Sequence, residues 1–136
     1  MPLTGGGVCD GAIDTILSMV NALLMLTDTG GTVTTTGPGT QDDVYVNYDP
    51  AGVFKPLKVQ LDFSLQTDTE TVVVRTWYRI KSGGTFRLKG EVTFAGVQDP
   101  PLKNIELEPN RFGIAVTIER IAGDAKAYDW SVSYEV

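Results

Sequence analysis

Residues 71–96, TVVVRTWYRIKSGGTFRLKGEVTFAG, decide the fold class. Val72, Val74, Thr76, Tyr78 and Ile80 alternate with Val73, Arg75, Trp77 and Arg79. Beyond Lys81-Ser82-Gly83-Gly84 the alternation resumes, with Phe86, Leu88, Val92 and Phe94 set against Arg87, Lys89, Glu91 and Thr93. A period of two places successive side chains on opposite faces of a strand. A Gly-Gly turn between two such runs signals a hairpin.

The same pattern extends outward on both sides. Upstream, Leu57, Val59, Leu61, Phe63 and Leu65 oppose Lys58, Gln60, Asp62 and Ser64. Val44 to Tyr48 and the β-branched run Thr32 to Thr36 read as two further strands, broken by Gly37-Pro38-Gly39 and Asp49-Pro50-Ala51-Gly52. Downstream, Asp99-Pro100-Pro101 marks a loop, and Ile105 and Leu107 lie on a short strand. Phe112, Ile114, Val116 and Ile118 form one inward row, and Trp130, Val132, Tyr134 and Val136 form the last. About eight short strands with one wet face predict an antiparallel two-sheet β-sandwich, jelly-roll-like in kind. Strand order is not readable from periodicity.

Ahead of the strands the period changes. In AIDTILSMVNALLML, Ala12 to Leu26, the residues Ile13, Ile16, Val20 and Leu23 fall on one face of a helix, and Leu17 and Leu24 widen it. Asp14, Ser18 and Asn21 leave only a narrow polar stripe. Asp10 serves as the N-cap, and Asp28-Thr29-Gly30-Gly31 is read as the helix stop. The chain thus divides into an arm with an apolar helix, residues 1–31, and a β-sandwich domain, residues 32–136. A helix of about four turns is marginal alone in water. It is covered either by its own sandwich or by copies of itself, and the 3-4-3 spacing suits a trimer or larger ring.

Composition narrows the function. The 136 residues are 42% hydrophobic and 21% charged, ordinary for one domain with a core. The net charge of −6 argues against a general nucleic-acid binder, which needs clustered Lys and Arg. No Lys or Arg precedes Lys55, so the whole net charge sits in the first 54 residues. The apolar stretch is shorter than the roughly 20 residues that span a bilayer, and no positive n-region marks a secretory signal, so the expectation is a chain made in a cytoplasm with no membrane partner. Cys9 is the single cysteine and is read as a small apolar residue.

Catalytic chemistry is not legible. The chain contains no histidine, which removes Ser-His and Cys-His nucleophile pairs and His-based zinc sites. No cofactor motif is present, and an enzyme is not expected. Asp42, Asp43, Asn47 and Asp49, with Asp68-Thr69-Glu70, could offer oxygens to calcium, but turn formation accounts for them more simply, and no metal is assigned. Arg75, Trp77, Arg79 and Arg87 make a possible surface contact, because Trp and Arg both stack on sugar rings and bases. Packing of Trp77 against arginine stems across strands is the plainer alternative.

The stretches TVVVRTWYRIKSGGTFRLKGEVTFAGVQDPPL and IELEPNRFGIAVTIERIAGDAKAYDWSVSYEV, and the helix portion DTILSMVNALLMLTDTGGTVTTTG, resemble an uncharacterised family of small β proteins of bacteriophages, archaeal viruses and their integrated relatives. Gly83, Gly84, Pro100, Pro101, Gly113, Gly123 and Trp130 are the matching positions. Ala122-Gly123-Asp124-Ala125 departs from the Thr-Ala-Gly-Thr turn of that family. The resemblance implies a virion-associated role, as a head decoration, cement, penton-like or tail-associated protein, with no catalytic residues. The sequence therefore leads to a viral structural protein that oligomerises through Ile13, Ile16, Leu17, Val20, Leu23 and Leu24, with itself and other virion proteins as partners. A receptor- or glycan-binding module using Trp77 is the alternative.

Overall fold

The computed structural model describes residues 26–135, and within them every regular element is a strand. The apolar segment and the six interface positions read from it lie outside the described residues. The strands are β1 (Leu26–Thr34), β2 (Gln41–Asn47), β3 (Lys55–Asp62), β4 (Thr71–Tyr78), β5 (Arg87–Ala95), β6 (Leu102–Glu106), β7 (Ile114–Ala122) and β8 (Ala127–Glu135). They form two four-stranded antiparallel sheets, ordered β1-β8-β3-β6 and β2-β7-β4-β5. Only β4 and β5 are consecutive strands within one sheet, joined by the Gly83-Gly84 hairpin. The turn closes with the Gly84 amide donating to the Lys81 carbonyl at 3.0 Å, and Gly83 takes a φ of 66° that suits glycine.

The inner faces pack against each other. Val59, Leu61 and Val132 from one sheet meet Val72, Val74, Ile114, Val116 and Ile118 from the other, and all are fully buried. Burying each such side chain stabilises the fold by about 1.5–3 kcal/mol. Phe63 stacks on Phe94 with ring centroids 4.5 Å apart and meets Tyr128 edge-on at 5.3 Å. Apart from Tyr128, these are positions the alternation predicts.

Several expectations are corrected. β1 begins at Leu26 rather than at Thr32, so Asp28-Thr29-Gly30-Gly31 is strand and not a helix stop. Those glycines serve a close approach. A Cβ on Gly30 would lie 2.7 Å from the Trp130 carbonyl oxygen, and one on Gly31 would lie 3.2 Å from the Trp130 ring. Leu57 and Leu65 are exposed rather than inward. A register shift between Pro56 and Lys58 turns Pro56 into the core in place of Leu57, and past the end of β3 it is Gln66 that turns inward. Ile80 is 84% exposed because β4 ends at Tyr78 and the hairpin swings away. A shift between Thr76 and Trp77 sets Leu88 opposite Trp77 on the outer face. Val92 does share the inner face with Val74, yet stays exposed because β5 is an edge strand.

Candidate interaction surfaces

Strand polarity sorts the loops into two ends. One end gathers the β1–β2, β3–β4, β5–β6 and β7–β8 connections, and the other gathers β2–β3, β4–β5 and β6–β7 with Leu26 and Glu135. The first end is held by a buried carboxylate. Glu70 accepts from the Thr67 amide at 2.7 Å, the Thr67 hydroxyl at 2.8 Å, the Thr69 hydroxyl, and the Asp124 amide at 3.3 Å. The Thr69 hydroxyl first, then the Thr67 amide, hold its carboxyl down to about 2, against the opposing effect of burial. Beside it, the Tyr128 hydroxyl donates to Gln66 Oε1 at 2.7 Å, and Gln66 Nε2 donates to the Phe94 and Gly96 carbonyls. Burial, helped by the Glu70 charge, pushes the Tyr128 hydroxyl up to about 12. Gly123, at φ 84°, lets β7 turn into β8 against this loop; a Cβ there would sit 2.6 Å from the Thr69 carbonyl oxygen. Sequence reasoning missed this knot, although Thr67 and Glu70 stand at the three-residue spacing of a reciprocal capping pair.

Of the residues weighed for calcium, Glu70 and Asp42 accept from protein donors. Asp42 accepts from the Thr36 amide at 2.8 Å and the Thr36 hydroxyl at 2.6 Å, pinning the β1–β2 connection. Asp49 lies 3.8 Å from Arg79. Among the described residues, no three His, Cys, Asp or Glu side chains gather as metal ligands would.

Of the aromatic-basic set, Arg75 and Trp77 share the outer face of β4, and Arg79 follows directly after its end. Arg75 bridges neighbouring strands, its Nε 2.7 Å from Glu91 on β5 and its Nη1 2.7 Å from Glu119 on β7. Glu119, and then Glu91, raise the Arg75 pKa, and Arg75 in turn lowers that of Glu119. Trp77 Nε1 donates to the Thr117 hydroxyl at 3.0 Å, which donates to Gln41 at 2.7 Å. The Arg79 guanidinium stacks 4.5 Å from the Phe86 ring centre and 5.5 Å from that of Tyr48. Beside them runs a shallow trough of about 220 Å³, with Asp43, Tyr48, Trp77 and Phe86 in its walls. Arg87 is set apart, opposite Tyr78, whose ring packs toward the core.

Two other concavities lie along β5. A groove of about 200 Å³ opens between the β5 and β6 edges, lined by Val74, Tyr78, Val92 and Ile105. A notch of about 470 Å³ lies in the hairpin, between Ile80, Lys81, Gly83, Gly84, Thr85 and Arg87.

No family model matches this chain, and no curated protein matches it. Among solved structures it is similar to a chain of Bacillus endospore appendages, described as a novel family of disulfide-linked pili. The identity is 16% and the TM-score 0.47, over 82% of this chain and 89% of that one. It is also similar to a chain in the structure of infectious bursal disease virus, Gx strain, at 14% identity and a TM-score of 0.41, over 83% of this chain and 32% of that one.

Proposed function

We propose that the protein is a non-enzymatic structural subunit that self-associates through Ile13, Ile16, Leu17, Val20, Leu23 and Leu24 and forms or decorates a virion. The observation that carries this reading is an apolar segment of helical period placed directly ahead of a sandwich that has a core of its own. In this reading the apolar face of that segment is covered by neighbouring copies. The strand order adds support: β1-β8-β3-β6 facing β2-β7-β4-β5 is the jelly-roll arrangement, used by viral capsid and lectin domains. That support is an analogy of fold. The absence of histidine from the chain fits a protein that works by contact rather than by proton transfer.

Leu17→Asp or Val20→Asp tests the reading. Light scattering should give a lower mass than for the parent chain, while circular dichroism of the sheets stays the same. An unchanged mass together with lost folding would overturn it. The virion role is tested separately, by mass spectrometry of purified particles for this chain.

The glycan-binding alternative draws on the trough beside Trp77, where Tyr48 is exposed and Gln41 and Asp43 supply polar groups. A glycan array without hits removes it.

A further inference from the structure

The two ends of the sandwich differ in charge where β4 and β5 reach them. At the carboxylate-held end, the β3–β4 and β5–β6 loops lie side by side, tied by the Gly96 amide donating to the Glu70 carbonyl at 2.8 Å. Together they present Leu65, 58% exposed, and Val97, 68% exposed, with Asp68 and Asp99 beside them. Asp62 and Asp124 lie at the same end. Its bases are Lys103, Lys126 and Arg120, and the Arg120 guanidinium is already engaged by the Gly123 and Thr36 carbonyls. At the opposite end of the same two strands, the hairpin notch is lined by Lys81 and Arg87, with the exposed Ile80 beside them. Lys55, Arg79, Lys89 and Arg111 lie at that end too, against Asp49, Glu106, Glu108 and Glu135.

We propose that the Leu65–Asp68–Val97–Asp99 tip of one copy docks into the Ile80–Lys81–Arg87 notch of a second copy, so that chains stack end to end along the β4–β5 hairpin. Two exposed apolar side chains flanked by carboxylates match a notch that carries Lys81, Arg87 and the exposed Ile80. The two surfaces differ and face opposite ways, so the contact is head-to-tail. It repeats as a filament, or closes into a ring if each step adds a rotation. The repeat exceeds the strand length of about 25 Å for eight residues, because both docking elements lie beyond the strand ends. A contact of a few loops falls short of the roughly 800 Å² per partner of a standard interface. It is therefore weak between two free chains and gains strength where many copies are already gathered. This contact is independent of the N-terminal segment.

The test uses the full chain carrying Leu17→Asp, which silences contacts through that segment, in sedimentation equilibrium at low salt and high protein concentration. Lys81→Glu with Arg87→Glu makes both ends acidic. Asp68→Lys with Asp99→Lys makes both tips basic. All four positions are exposed, and circular dichroism checks the fold. Each reversed variant alone should associate about tenfold more weakly or worse, and an equimolar mixture of the two should recover the lost association. Raising salt should weaken the parent, as the Debye length falls from about 30 Å to 8 Å. The proposal is overturned if the Leu17→Asp parent stays monomeric, if the reversed variants associate as the parent does, or if the mixture recovers nothing. Because the segment is silenced in every arm, these outcomes stand apart from those that judge the N-terminal contact.

Discussion

Where β3 turns into β4, hydrogen bonds close the sandwich: a buried Glu70 collects donors from Thr67, Thr69 and Asp124, and Tyr128 is anchored through Gln66 to two carbonyls. Where β2 turns into β3, rings close it. Phe54 lies 5.3 Å from Tyr134 and 6.1 Å from Tyr45, and Tyr45 lies 5.9 Å from Trp130. The Phe54 backbone adds a bridge to Asn110, with bonds of 2.8 and 2.9 Å. Hydrogen bonds to a buried charge are directional, and leaving them unmade is costly. Aromatic packing is tolerant of angle and indifferent to pH. One end is thus fixed in shape, suiting it to present a protruding loop pair, and the other tolerates change around its rim.

The largest effect that sharpens this contrast comes from Phe63, where the polar end meets the core. Phe63 is 1% exposed and touches Phe94 and Tyr128. Phe63→Ala should cost about 3–5 kcal/mol in urea unfolding and release the Tyr128–Gln66 anchor. Phe54, 9% exposed at the rim of the other end, has neighbours that can close in. Phe54→Ala should therefore cost measurably less. Equal losses would mean that both ends are packed alike.

How much of this was legible follows from what a period can carry. The inner rows Val72–Val74–Thr76, Ile114–Val116–Ile118 and Trp130–Val132–Tyr134 stand in the alternation. It failed wherever the backbone slips by a residue. The shift at Pro56/Lys58 turns Pro56 in and Leu57 out while Val59 and Leu61 keep their facing, the shift at Thr76/Trp77 turns Leu88 out while Phe94 stays in, and nothing in side-chain type announces either. Gly30-Gly31 looked like a breaker because glycine's usual role is in turns; here it clears room for Trp130, which is distant in sequence. The Glu70 knot joins residues more than fifty positions apart, so only its local half, Thr67 to Glu70, could have been seen. Arg75, Trp77 and Arg79 were placed on one face, but their partners Glu119, Thr117 and Tyr48 come from other strands and loops.

The second prediction separates the ends by pH. The Glu70 carboxyl has an ordinary value of 4.5 and a folded value of about 2. The unfolded chain therefore takes up the proton first. The stability this group contributes is whole above about pH 5 and is lost as pH falls from there toward 2. Glu70→Gln should lower the urea midpoint at pH 7, because an amide presents N–H groups to a site furnished only with donors. It should also make the acid-side fall shallower than in the parent, with Glu119 supplying part of the slope that remains. An identical acid-side slope in both proteins would show that the carboxylate is not what holds that end.

The smallest effect belongs to the ring-closed end, where Tyr78 supplies one of the few directional ties. Its hydroxyl oxygen accepts from the Glu108 amide at 2.8 Å, joining β4 to the β6–β7 loop beside the β5–β6 groove. Glu108 is exposed, so water can replace the hydroxyl once it is gone. Tyr78→Phe keeps the ring against the core and should cost about 1 kcal/mol or less, with no change in slope between pH 2 and 5. A loss well above that would place the tie among the supports of the fold. Both ends would then depend on directional bonds, and the tolerance ascribed to the hairpin side would have to come from its exposure alone.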